Sequence, residues 1–274
     1  VFYQPKSIGA ALDRKAELRE RGVFLAGGTD LVVLMNAGKA TPEHFIDLSH
    51  VPELRTINRR NGTIELAGNV THAQCGKLPV QCLAQASMSV GGPGIRELGT
   101  IAGNIATASP AGDGSTALLA LDAEVELTSV RGVRTMPLEK FFVSYRKTAL
   151  APDEMITKVT IPTDYQSAWL KNGKRGAVNI SVVAVAVAQP SRLQPERPQA
   201  GRLCNEIRIA LASVAPFPVR CHKAEAVFAK GGDIRQVAET VREEIKPISD
   251  HRASADYKTH LAGVMVRRLL ENLT

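Results

Sequence analysis

The amino-acid sequence predicts an α+β fold built as three consecutive units, residues 1–52, 53–164 and 165–274, and three stretches carry that prediction. The segment LAGGTDL at 25–31 joins the apolar run Val23-Phe24-Leu25 to a second one at 31–35 through paired glycines, the pattern of a strand turning into a helix. Arg60-Asn61-Gly62 separates two short alternating segments, and Asn-Gly in that setting is the strongest short hairpin signal. Beyond Pro162, strand-like segments come first and helical patterns follow, the order of an α+β domain.

In the first unit, residues 8–20 place Ile8, Ala11, Leu12 and Leu18 on one helical stripe. A strand follows at 23–25, then the turn. Gly27 and Gly28 allow positive φ and close approach to the backbone, Thr29 is suited to cap a helix, and Asp30 falls in its first turn. Free amides at such a helix start suit an anion such as a pyrophosphate, although a plain capped turn has the same residues. The helix at 31–37 stops at Gly38, and Phe45-Ile46-Asp47-Leu48 completes a βαβ-like unit of about 50 residues.

The second unit opens with the hairpin 54–66. Thr71 and Gln74 have capping-box spacing, and nothing catalytic stands out there. Residues 89–129 then concentrate glycines at 91, 92, 94, 99, 103, 112 and 114, which reads as a set of close-approach loops. Thr100, Asn104, Thr107, Ser109 and Asp113 add small hydrogen-bonding groups suited to phosphate, ribityl or ribose oxygens, while an irregular turn-rich segment is the plainer meaning. Strands are expected at 123–129, 133–136 and 155–161. The aromatics of 141–148 either line a planar ligand or form a small core cluster.

The third unit is predicted to place strands at 167–171, 180–188 and 207–214, with 189–201 as a long hairpin loop, before helices at 219–230, 234–246 and 254–272.

Composition excludes several classes. With 34 basic against 27 acidic residues the net charge is +7, but the basic residues are scattered and lack interleaved aromatics, so no nucleic-acid partner is expected; an acidic partner or an anionic cofactor explains the charge as well. No apolar run approaches the roughly 20 residues of a membrane span. The start VFYQPKSIGAALDRK has neither the basic segment nor the apolar core of a signal peptide, which makes a cytoplasmic location the expectation. Cys75, Cys82, Cys204 and Cys221 show no metal-ligand spacing, and the six histidines are equally dispersed, so no metal site is expected.

Taken together, LAGGTDL at 25–31, TIAGNIATASPAGD at 100–113, LLALDAEVEL at 118–127, FFVSYRKT at 141–148, SVAPFPVR at 213–220 and RASADYKTHLAGVMVRR at 252–268 resemble, in order, the FAD-binding medium subunit of the molybdenum hydroxylases. That family includes xanthine dehydrogenase, carbon monoxide dehydrogenase and 4-hydroxybenzoyl-CoA reductase. The resemblance implies a two-subdomain FAD-binding domain followed by a C-terminal antiparallel sheet with a helical bundle. It places Leu25, Ala26, Gly27, Gly28, Thr29, Asp30 and Leu31 on a first pyrophosphate loop and Thr100, Ile101, Ala102, Gly103 and Asn104 on a second. It makes Asp113 a further polar contact, and puts Ile156 and Lys171 on the isoalloxazine side.

Three departures accompany the resemblance. Ala102 replaces a usual glycine, and its β-carbon is harmless only if φ stays negative. Gly114-Ser115-Thr116 lacks a common proline, and Val90 offers an aliphatic contact where some members have an aromatic one. The resemblance further implies that this chain passes electrons from 2Fe-2S clusters on a small partner, fed by a molybdenum cofactor on a large partner, through its own FAD to NAD, a quinone or another acceptor. No catalytic residue of its own is then expected. The alternatives are a freestanding FAD oxidoreductase, which needs a substrate-side acid or base, and a flavin-free scaffold subunit.

Overall fold

The computed structural model describes residues 1–176, 178–191 and 206–273. The first unit contains β1 (Phe2–Tyr3), α1 (Ile8–Leu18), β2 (Gly22–Leu25), α2 (Leu31–Asn36) and β3 (His44–Asp47). Its three strands form a parallel sheet in the order β1-β3-β2. Ser7 caps α1 by accepting a hydrogen bond from the Ala10 amide at 3.2 Å, and the predicted stripe packs Ala11, Leu12 and Leu18 against Ile46, Leu48 and Leu54. The glycine turn follows directly from the C-terminal end of β2.

The second unit begins with β4 (Ile57–Arg60) and β5 (Thr63–Ala67). Asn61 and Gly62 both adopt positive φ, +44° and +76°, the left-handed pair that the tight two-residue hairpin turn requires. Four helices follow, α3 (His72–Cys75), α4 (Gln81–Met88), α5 (Pro93–Leu98) and α6 (Ile101–Thr107), and then a fifth, α7 (Asp113–Ala120). Next come β6 (Glu124–Ser129), β7 (Gly132–Pro137), α8 (Leu138–Phe141), the short pair β8 (Phe142–Ser144) and β9 (Lys147–Thr148), and β10 (Met155–Pro162). The main sheet is antiparallel in the order β4-β5-β10-β6-β7. Phe141 and Phe142 belong to its core, which settles the aromatic cluster as packing, whereas Tyr145 is exposed.

The glycine-rich stretch is therefore helical where close-approach loops were expected. Gly92, Gly99 and Gly112 stand at helix ends, and only Gly94, Gly103 and Gly114 lie inside. Every residue of α7 is buried, so tertiary packing supplies what helix propensity lacks.

The third unit contains β11 (Tyr165–Gly173), β12 (Ser181–Pro190), β13 (Arg208–Ala212), β14 (Val219–Arg220), α9 (His222–Ala229), α10 (Ile234–Glu244) and α11 (Ala255–Leu273). The four strands form an antiparallel sheet in sequence order. On β12 the period-2 pattern sorts residues by size rather than polarity. Ala184, Ala186 and Ala188 join the core of the second unit, while Val183, Val185 and Val187 join the core formed with α9, α10 and α11. The small face lets α4 and α7 lie against the sheet; each fully buried valine on the other contributes about 1.5–3 kcal/mol.

The helix expected at 219–230 starts late. Val219 and Arg220 pair with Leu211 and Ala210, and Arg220 bridges Asp122 and Glu225, so an edge strand displaces the first helical turn. The hairpin loop expected at 189–201 and Cys204 lie almost wholly outside the described residues. Cys75, Cys82 and Cys221 are buried free thiols, and burial pushes the first two up to about 12, well away from thiolate chemistry. No helix among the described residues is long and apolar enough to cross a membrane.

Candidate cofactor site

The glycine turn and the start of α6 face each other across a cavity of about 380 Å³. Leu25, Ala26, Gly27, Gly28, Thr29, Asp30 and Leu31 all line it, joined by His72, Val90, Gly99, Thr100, Gly103, Asn104 and Thr107. A second cavity of about 310 Å³ shares Ala26, Gly27 and Thr100 with the first, so the turn stands between two hollows.

The two glycines have different work. Gly28 has φ +71°, which a side chain resists. Gly27 makes a close approach: a β-carbon there would lie 1.7 Å from the carbonyl oxygen of Leu98, at the end of α5. The first and second units are thus in backbone contact beside the cavity. A side-chain contact reinforces it, as Thr107 Oγ1 donates to Asp30 Oδ2 at 3.0 Å.

Two expectations change. Asp30, not Thr29, occupies the cap position of α2, and no side chain caps that helix. With six residues α2 has little dipole, so an anion at this turn depends on individual amides and hydroxyls. On the opposite wall Thr100 caps α6, its Oγ1 accepting from the Gly103 amide at 3.0 Å. Asn104 Oδ1 accepts from both the amide and the hydroxyl of Ser115 at 3.0 Å, which leaves its NH2 group as a donor. Ile101 and Ala102 turn their side chains into the core, so only their backbone is available to a ligand.

Ala102 lies within α6 and is absent from the positive-φ residues, and its methyl packs in the core. The β-carbon therefore does not shift the second segment. Ala102→Gly is expected to cost about 1 kcal/mol of stability from helix propensity and to leave FAD affinity within twofold, which chemical denaturation and flavin titration would show together.

Asp113 and Lys171 do not line this cavity; they pair with each other. Their Oδ2 and Nζ are 2.5 Å apart with both side chains under 10% exposed, and Nζ also donates to the Ser89 carbonyl at 3.0 Å. Burial pushes the Asp113 carboxyl up to about 6 against the pull of the Lys171 ammonium, and its second oxygen, Oδ1, has no partner. Ile156 is buried on β10 at a register shift, with its carbonyl against Gly68. The pairing of Asp113 with Lys171, 58 positions apart, leaves no local trace in the sequence.

The residues fit a dinucleotide cofactor. The wall supplies hydroxyls, amides, one buried imidazole and the Asp30 carboxylate, which Thr107 engages, includes no lysine or arginine, and depends on a glycine whose replacement would collide with backbone. Residues 1–164 match the family described as the FAD binding domain in molybdopterin dehydrogenase, and residues 168–273 match the CO dehydrogenase flavoprotein C-terminal domain. The chain belongs to this family of FAD-binding subunits.

Similarity to other FAD-binding subunits extends over nearly the whole chain. It is 30% identical to the carbon monoxide dehydrogenase medium chain of Hydrogenophaga pseudoflava, over 98% of this chain and 95% of that one. It is 29% identical to the xanthine dehydrogenase FAD-binding subunit of Escherichia coli O157:H7, over 98% and 94%. A solved structure of carbon monoxide dehydrogenase from Hydrogenophaga pseudoflava, lacking the Mo-pyranopterin moiety of its molybdenum cofactor, superposes with a TM-score of 0.89 at 30% identity, covering 99% of this chain and 96% of that one. FAD is accordingly the cofactor of this subunit.

His72 was missed in the sequence. It opens α3 behind the Thr71–Gln74 capping box, which is formed, and it lines the cavity. The capping box was visible; that the next side chain points at a cofactor site was not.

Proposed function

We propose that this subunit holds FAD with its pyrophosphate between the 25–31 turn and the Thr100–Asn104 segment, and its ring system toward Asp113, Ile156 and Lys171. The observation that carries this reading is the contact of Gly27 with the Leu98 carbonyl, which fixes the two segments on either side of one cavity. Bound flavin supplies one- and two-electron redox chemistry. The chain's own residues do the rest: Gly28 shapes the turn, Thr29, Thr100 and Asn104 offer hydrogen bonds, and the Asp30–Thr107 contact ties the walls together. Lys171, paired with Asp113 and donating to the Ser89 carbonyl, is in this reading the positive group on the ring side, where it would stabilise negative charge on a reduced ring.

In this reading the subunit works inside a complex. A large partner holds the molybdenum cofactor and turns over the substrate, a small partner holds 2Fe-2S clusters, and electrons leave through FAD to NAD, a quinone or another acceptor. The basic surface implied by a net charge of +7 suits docking of acidic partners. Purification from native cells tests it: the chain should emerge with two partner chains, molybdenum, iron and FAD. Emergence as a lone flavoprotein reduced directly by an organic substrate would replace this reading with the freestanding oxidoreductase.

A further inference from the structure

His72 is a buried polar side chain without a structural task. Its backbone is fully engaged: the amide donates to the Gly99 carbonyl at 2.9 Å, and the neighbouring Ile101 amide donates to the Val70 carbonyl at 2.9 Å, so α3 is stitched to the segment that starts α6. The ring is 2% exposed and wedged between two glycines. A β-carbon on Gly99 would lie 3.4 Å from its Cδ2, and one on Gly114 would lie 3.2 Å from its Cε1. Those positions leave just enough room for an imidazole.

Nδ1 of this ring is enclosed by protein and has no hydrogen-bond partner, which costs about 1–3 kcal/mol, so any hydrogen bond the ring gives to a ligand in the cavity comes from Nε2. The same ring lines the cavity beside Thr29, Thr100, Gly103 and Asn104. Burial first, and the Arg96 guanidinium second, push its pKa down to about 4, so at neutral pH the imidazole is uncharged and has one N–H to give. A neutral imidazole beside the Thr29 and Thr100 hydroxyls and the Asn104 amide, in a wall whose one charged side chain is Asp30, points to an acceptor-bearing ligand group.

We propose that His72 is a cofactor-binding residue, donating a hydrogen bond from its neutral imidazole to a pyrophosphate oxygen of FAD. The assignment rests on the FAD site described above and adds a residue to it. A β-carbon at Gly114 would crowd the ring at 3.2 Å together with Ile101 and Asn104, whereas at Gly99 the first atom met is the Ile95 carbonyl oxygen at 2.9 Å.

The test compares the full chain with His72→Leu and His72→Asn variants, each stripped of flavin and titrated with FAD by fluorescence. Leucine fills the space without a donor, and asparagine keeps an N–H donor on a smaller side chain. The expected result is at least a tenfold loss of FAD affinity for His72→Leu, partial recovery in His72→Asn, and an apo-protein melting temperature for His72→Leu equal to or above wild type, because a buried unsatisfied group has been removed. The 31P resonances of bound FAD should shift between wild type and His72→Asn. A leucine variant that binds FAD within twofold of wild type, or whose apo form melts several degrees lower, overturns the proposal, as do unchanged 31P resonances. Wild-type protein that takes up no FAD overturns the site itself, a different outcome from an unaffected variant.

Discussion

Gly27→Ala is expected to give a folded chain that retains no FAD. The new methyl would lie 1.7 Å from the Leu98 carbonyl oxygen, about half an ordinary contact distance, and the atom it meets is backbone that cannot rotate away. Relief requires the turn and the end of α5 to separate, which opens the cavity wall on which the cofactor depends. A destabilisation of about 3 kcal/mol, the upper end for overpacking, and a loss of FAD affinity of a hundredfold or more should appear together in denaturant unfolding and flavin titration. Gly28→Ala is the graded companion. Its φ of +71° costs an alanine about 1–2 kcal/mol, with space for the methyl, so its effect on FAD should be smaller.

The second large effect belongs to Asp113 and Lys171. Replacing either alone, as Asp113→Leu or Lys171→Met, strands the other as an unpaired buried charge and should cost about 3–5 kcal/mol; the double variant should recover most of that, because two apolar groups leave nothing to desolvate. The pair also sets a pH dependence. The Asp113 carboxyl titrates near 6 in the folded protein against 3.8 unfolded, so its contribution to stability is complete below about 4 and is lost as pH rises through about 6, on the order of 3 kcal/mol. Wild-type stability measured across that interval should decline relative to the double variant, which lacks the titrating group. A double variant that restores stability but holds a flavin of altered reduction potential would assign the pair to the cofactor rather than to the fold.

The sequence made legible what local chemistry determines. Asn61-Gly62 specified a hairpin because both positions need positive φ, and Thr71–Gln74 specified a helix start because two side chains satisfy two orphan amides. The LAGGTDL turn was placed correctly for the same reason, although its capping residue was not. Glycine-rich 91–114 misled because glycine lowers helix propensity by about 1 kcal/mol, and only burial of the whole of α7 compensates. β14 was hidden because two residues carry no period of their own and pair only once β13 is in place.

At the site, the residues close to the turn were readable and the distant ones were not. Thr100, Gly103 and Asn104 share a cavity with the turn, while Ile101 and Ala102 lie on the inner face of α6. That division follows from helical periodicity, which a segment read as a loop conceals. The Asp113–Lys171 pair and the unpartnered His72 nitrogen depend on contacts between separate elements, and neither residue type announces them.

Whether the 25–31 turn and the start of α6 form one FAD site is measured most directly by the FAD stoichiometry of the purified wild-type chain after flavin removal and reconstitution. One FAD per chain is expected, lost in Gly27→Ala and retained in Ala102→Gly. A wild-type chain that stays flavin-free with excess FAD, or a Gly27→Ala chain that binds it as well as wild type, would contradict it.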